Sequence, residues 1–166
     1  MASQWYSLVS QKLFLASTLL TRLESDGGNE NTSRNPAADK EALSQGATEL
    51  LLRARKLLLI MIARCHQHKA GKPDSLTELE ALFPYEVHEV QLLKALSDTA
   101  GSWWHHLDQL EEALSQPHVT RKNVTTENII AISVEQGPDR SPAALKHTLA
   151  AITRLARSIE DQHGEW

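Results

Sequence analysis

Hydrophobic positions recur along most of this chain at the three- and four-residue steps of α-helices. The stretch 47–63, ATELLLRARKLLLIMIA, goes further, because its apolar residues cover nearly every side of a helix. Its polar interruptions are Thr48, Glu49, Arg53, Arg55 and Lys56. A helix that is apolar all round has to be surrounded by other elements, so this stretch predicts the central helix of an all-α bundle.

Capping residues delimit the other helices. The spacing predicts a first helix over 4–24 and a long second helix from Pro36, capped by Asn35, to about Lys69. Gly46 within the second helix indicates a close crossing or a bend. A short helix opens at the capping box 75–78 and ends near Phe83-Pro84, and others follow over 86–97, over 103–115 and from Pro142 onward. We expect one domain over 1–166 with about five or six helices, mostly up-and-down.

Two segments do not fit this scheme. Residues 25–35 are polar and glycine-containing, which predicts a flexible loop. Residues 116–141 favour extended, non-helical chain, and within them IIAISV at 129–134 has the β-branched composition of a strand. That short run is a strap over the bundle, a strand that pairs with its copy in a dimer, or a helix.

Composition places the chain among soluble globular proteins, with 166 residues, 41% hydrophobic and 23% charged. The single cysteine, Cys65, excludes an intrachain disulfide and a cysteine-based zinc site. The N-terminus lacks the basic region of a signal peptide, and no apolar run approaches the roughly 18 residues of a membrane span. We expect a cytoplasmic protein without membrane association.

Charge is unevenly distributed. Residues 36–73 carry seven Lys/Arg against three Asp/Glu, whereas residues 74–115 carry one Lys against nine Asp/Glu. If these segments pack together, the charges satisfy each other within the chain. A nucleic-acid partner is therefore not expected, although Arg53, Lys56 and Arg64 share one helix face with Ile60 between them.

Three stretches resemble a family of short bacterial proteins classed as a domain of unknown function. They are WYSLVSQKLFLASTLL at 5–20, GSWWHHL at 101–107, and the closing helix that ends in Glu165-Trp166. The resemblance extends over the layout of the whole chain. It implies a compact helical protein of the bacterial cytoplasm and implies no activity.

Histidines raise a metal hypothesis at the end of the second helix, where His66 and His68 follow Cys65. On a continuous helix these two histidines lie about 200° apart, so chelation requires the helix to end there. The alternative is a buried Cys65 with exposed histidines. Glu160 and His163 have the Glu-x-x-His spacing of di-iron bundles, but no second such motif occurs. Arg157 and His163 have the spacing seen in HEPN-type ribonucleases.

The leading prediction is a non-catalytic interaction or scaffold module that binds a protein partner or itself, with no catalytic, metal or cofactor-binding residue. Surplus apolar surface supports it, from Leu52, Leu59, Ile60, Trp104 and the 129–134 run. Coverage of Trp104 by another helix is the favoured alternative to its exposure. The candidate interaction residues are Arg53, Lys56, Ile60, Arg64, Trp104, Ile130 and Ile132. The alternatives are a metal-dependent or nuclease enzyme using His66, His68, Arg157 or His163, and a regulator that binds a small ligand between helices.

Overall fold

Six α-helices make up the described fold in the computed structural model, which covers residues 2–25, 35–117 and 137–164. They are α1 (Ala2–Ser25), α2 (Pro36–Cys65), α3 (Leu76–Ala81), α4 (His88–Asp98), α5 (Trp103–Ser115) and α6 (Pro142–His163). No strand occurs in those ranges, which confirms the all-α prediction. The predicted strand at 129–134, and all but the ends of the predicted loop at 25–35, lie outside the described residues.

Helix α2 is the centre of the bundle. It packs against α1 along much of its length and also contacts α6, α5 and α3. Leu52 and Leu59, which lie outside its main apolar stripe, are only 7% and 1% exposed. Helices of the same chain therefore cover the side of α2 that the sequence left without an assigned neighbour. No helix in the described ranges combines the length and apolarity that a membrane span requires.

Gly46 marks the close crossing of α1 and α2. A Cβ atom on this residue would lie 3.2 Å from Leu19 Cδ1, closer than nearly all real Cβ contacts. The absence of a side chain thus lets α1 approach α2 here, which accounts for a glycine within a helix despite its cost in helix propensity.

Side-chain caps start four of the helices where the sequence predicts them. In each case a side-chain oxygen accepts a hydrogen bond from the backbone N–H three residues later. The pairs are Asn35–Ala38, Ser75–Glu78, Ser102–His105 and Ser141–Ala144, with donor–acceptor distances of 3.1 to 3.2 Å. These bonds are local, so the sequence alone locates them.

The end of α2 differs from the prediction. The helix stops at Cys65 rather than near Lys69, because Gln67 takes a left-handed conformation with φ of 68°. The His68 N–H then donates to the Ala63 carbonyl (2.9 Å) and the Gln67 N–H to the Arg64 carbonyl (3.0 Å). This pair of bonds is a Schellman motif. The stop therefore comes from Gln67, a residue without a helix-ending signature, and not from Gly71.

One basic residue of α2, Arg55, meets two acidic residues of α5. Arg55 is 7% exposed and donates hydrogen bonds to Asp108 Oδ1 and to Glu111 Oε2, the latter at 2.6 Å. Its guanidinium lies 4.9 Å from the centroid of the Trp104 ring. The prediction that basic and acidic segments neutralise each other within the chain is therefore confirmed at Arg55. Trp104 itself is 5% exposed, so another helix covers it.

Candidate metal centre

Three helix ends bring two imidazoles and one carboxylate together. His66 follows the last turn of α2, Glu89 lies in the first turn of α4, and His163 lies in the last turn of α6. His66 Nε2 is 3.2 Å from Glu89 Oε2, and His163 Nε2 is 2.6 Å from Glu89 Oε1. One potential ligand atom from each residue lies within 4.8 Å of the other two. We call these three residues the His–Glu–His cluster.

Local structure places each member of the cluster. His66 is the C-cap of α2, where its N–H still donates to the Ile62 carbonyl before Gln67 turns the chain away. Glu89 lies at a helix start and His163 at a helix end, the positions at which the helix dipole favours an anion and a cation respectively. Each residue type thus suits the helix end that carries it.

Glu89 is a buried carboxylate, with 5% of its surface exposed. Burial by itself raises its pKa, but hydrogen bonds from His163, from the backbone and from His66 outweigh burial. The pKa of Glu89 therefore lies below its ordinary value, and the group is an anion at neutral pH. Burying a charge is costly unless it is paired, and here each carboxylate oxygen faces one imidazole nitrogen.

Aromatic packing encloses one side of the cluster. The Phe83 ring meets His66 edge-on at a centroid distance of 5.4 Å and His68 at 4.8 Å. His66 and His163 also meet edge-on, at 5.1 Å. The Phe83 ring therefore holds His68 beside itself, while His66 is directed to Glu89 and His163.

Two further groups with titratable side chains lie next to the cluster. Burial raises the pKa of the Cys65 thiol to about 11, and the negative charges of Glu160 and Glu89 add to that rise. Glu160 precedes His163 by three residues on α6. Its Oε2 atom is buried and has no hydrogen-bond partner among the residues that the structure describes.

Two imidazole nitrogens and a carboxylate oxygen form a ligand set used for zinc and for non-haem iron. In a tetrahedral site with ligand bonds of about 2.0–2.2 Å, neighbouring ligand atoms are about 3.3–3.6 Å apart. The His66–Glu89 separation of 3.2 Å nearly matches this spacing, and the His163–Glu89 pair has to open from 2.6 Å. A divalent ion would then replace the two imidazole protons that face Glu89.

The structure assembles only part of the site that the sequence suggested. The metal hypothesis paired His66 with His68, but His68 packs on Phe83 instead. Arg157 is exposed, whereas His163 is directed to Glu89. His66 and His163 belong to the alternative enzyme hypothesis drawn from the sequence, whereas Glu89 was not among the residues proposed for any site. Its position four residues before the buried Leu93 is a signal, since that spacing places Glu89 on the inward face of α4.

The candidate interaction residues have different environments. Arg53 is exposed, and Lys56 and Ile60 are half-buried. The Arg64 guanidinium lies 5.5 Å from the centroid of the Trp5 ring, and its Nη1 donates to the His68 carbonyl at 2.9 Å. Trp104, with Leu52 and Leu59, is buried by the chain's own helices and is not open to a partner, because the bundle already covers the surface that the sequence left over. Ile130 and Ile132 lie outside the described residues.

The fold and this cluster define the chain as an all-α bundle protein with a His–Glu–His arrangement at converging helix ends. It belongs to a family of unknown function, DUF6586, whose model matches residues 1–166. The resemblance to a domain of unknown function is thereby confirmed. No curated protein and no solved structure matches the chain.

Proposed function

We propose that this protein is a metal-binding helical bundle, in which His66, Glu89 and His163 hold one divalent transition-metal ion. The observation that supports it is the convergence of three ligand atoms from three separate helices within 4.8 Å. The set contains two imidazole nitrogens and one carboxylate oxygen, which suits Zn²⁺ and also Fe²⁺, Co²⁺ or Mn²⁺. The ion would fasten the ends of α2 and α6 to the start of α4.

Burial of the carboxylate supports an ion at this position. Glu89 is 5% exposed, whereas His66 and His163 have side chains that are 20% and 25% exposed. An ion would thus meet a buried anion behind two partly accessible imidazoles, which leaves a route of entry from the surface. The double positive charge of the ion would offset the desolvation of Glu89 more fully than hydrogen bonds from two imidazoles do.

Zn²⁺ titration of chelator-treated protein tests the site, with isothermal calorimetry for affinity and elemental analysis for stoichiometry. We expect one Zn²⁺ per chain and stabilisation against heat, because the ion binds the folded state. His66→Ala, His163→Ala and Glu89→Gln should each weaken binding by more than about 100-fold, since loss of outer-shell partners alone costs about 10–100-fold. His88→Ala, which removes the exposed histidine beside Glu89, is the matched control.

Two results would contradict this site. One is a wild-type protein that takes up less than one equivalent of Zn²⁺. The other is a His66→Ala variant that binds Zn²⁺ as tightly as His88→Ala, which would place the ion elsewhere.

A second candidate function is self-association of a non-catalytic module. Its support is the adjacent pair Phe14 and Leu15 on α1, which are 71% and 41% exposed. Large apolar side chains with this exposure are candidates for a contact surface. Light scattering over a dilution series should give a dimer that Phe14→Ser converts to a monomer, whereas Thr18→Ser on the same helix leaves it unchanged. A wild-type protein that stays monomeric at high concentration would remove this candidate.

A further inference from the structure

Glu160 lies one helical turn before His163 on α6. Residues three apart on a helix share a face, with Cβ atoms about 5–6 Å apart, so Glu160 and His163 project to the same side. Glu160 is therefore next to the His–Glu–His cluster although it is not one of its three members.

One oxygen of the Glu160 carboxylate lacks a hydrogen-bond donor. This atom, Oε2, is buried and has no hydrogen-bond partner among the described residues. A buried acceptor without a donor is destabilising, and the cost is higher for a charged group. Glu89 has already taken the two imidazole donors, at 3.2 and 2.6 Å. Among the described residues, the region thus holds two carboxylates, and one oxygen of Glu160 is left without a donor.

A divalent cation would give this carboxylate oxygen a partner. Resting on the metal site proposed above, we propose that Glu160 is its fourth protein ligand, so that the ion is held by His66, Glu89, Glu160 and His163. Two carboxylates balance the charge of the ion, and two imidazoles complete a tetrahedral set. Only the ligand atoms of the other three residues now lie within 4.8 Å of one another. Glu160 therefore has to rotate its side chain to bind the ion.

The number of protein ligands decides what the ion does. Catalytic zinc sites have three protein ligands and keep one position for water or substrate, whereas structural sites have four and are closed. With Glu160 bound, the ion has no open position. It is then a structural ion that joins the ends of α2 and α6 to the start of α4.

Glu160→Gln tests the fourth ligand, with Asp161→Asn as the matched control, because Asp161 is an exposed acid in the same turn. We expect Glu160→Gln to weaken Zn²⁺ affinity at least about tenfold, while Asp161→Asn stays close to wild type. In metal-free protein the same change should not lower the thermal midpoint, because the Oε2 atom that it replaces accepts no hydrogen bond from the described residues. Glu160→Ala, which has no oxygen to offer, should weaken Zn²⁺ binding further.

Co²⁺ gives a readout of the coordination itself. Co²⁺-loaded wild type should keep its visible spectrum when azide is added, because a closed site has no free position. Co²⁺-loaded Glu160→Ala should change its spectrum on addition of azide. If wild type binds Zn²⁺ but Glu160→Gln matches Asp161→Asn in affinity, or if wild type itself responds to azide, Glu160 is not a ligand and the three-residue site stands. If wild type binds no Zn²⁺, both the three-residue site and the role of Glu160 fall.

Discussion

The Nε2 atom of His163 lies 2.6 Å from Oε1 of Glu89, although the two residues are 74 positions apart in the chain. This contact joins the last turn of α6 to the first turn of α4. Its energetic weight can be measured separately from any metal, in protein kept in chelator.

Glu89→Gln should lower the stability of the metal-free protein by about 1–2 kcal/mol, because hydrogen bonds to a charged acceptor are lost. The glutamine amide also presents a donor to one imidazole that already donates. Urea unfolding in chelator measures the change, and Glu86→Gln is the control because Glu86 is an exposed acid just before α4. Equal stability of the two variants would mean that the cluster contributes nothing without an ion.

Arg55→Ala should lower the free energy of unfolding by about 1–3 kcal/mol. The change removes hydrogen bonds to Asp108 and Glu111 and uncovers the Trp104 ring. The effect should stay below that of a fully buried pair, since the two acids have side chains that are 46% and 44% exposed. Arg53→Ala, at an exposed position on the same helix, should stay within about 0.5 kcal/mol of wild type. Chemical denaturation compares the two variants, and similar losses would contradict a special role for Arg55.

Gln67→Gly should stabilise the protein by about 1 kcal/mol, because glycine adopts the left-handed conformation without the steric cost of a Cβ atom. Gln67→Val should destabilise it, since a branched side chain fits that conformation poorly. The midpoint of thermal unfolding measures the stability of both variants. A loss of stability in the glycine variant would show that the Gln67 side chain contributes more than its backbone conformation costs.

Asp139 gives a prediction about pH. Hydrogen bonds from Ser141, of which the backbone N–H bond is 2.9 Å, lower the pKa of Asp139 below its ordinary 3.8, against a smaller opposing effect of desolvation. A pKa that is lower in the folded state adds stability above pH 3.8, and this contribution is lost as the pH falls through the folded pKa. Wild type should therefore exceed Asp139→Asn in thermal midpoint near pH 6, and the difference should shrink on acidification. A difference independent of pH would contradict this, and Asp161→Asn controls for the loss of a charge.

The sequence alone determined the helices and their starts. Asn35, Ser75, Ser102 and Ser141 cap through bonds to residues three positions later, so the information is local. The centrality of α2 was equally readable, since an apolar surface on every side needs neighbours whatever their identity. The same pattern does not identify which helices those neighbours are. The sequence therefore left open whether Trp104 is covered or exposed, and the packing of α5 on α2 decides that it is covered.

Only the tertiary structure decided the site. In the sequence, His66 and His68 were equal candidates after Cys65. The left-handed backbone of Gln67 turns the chain between them, so that His66 contacts Glu89 while His68 packs on Phe83. Glu89 and His163 meet His66 because α4 begins and α6 ends beside the end of α2. Convergence of this kind depends on the directions of whole helices, which many weak side-chain contacts set together, and no local spacing in the chain encodes it.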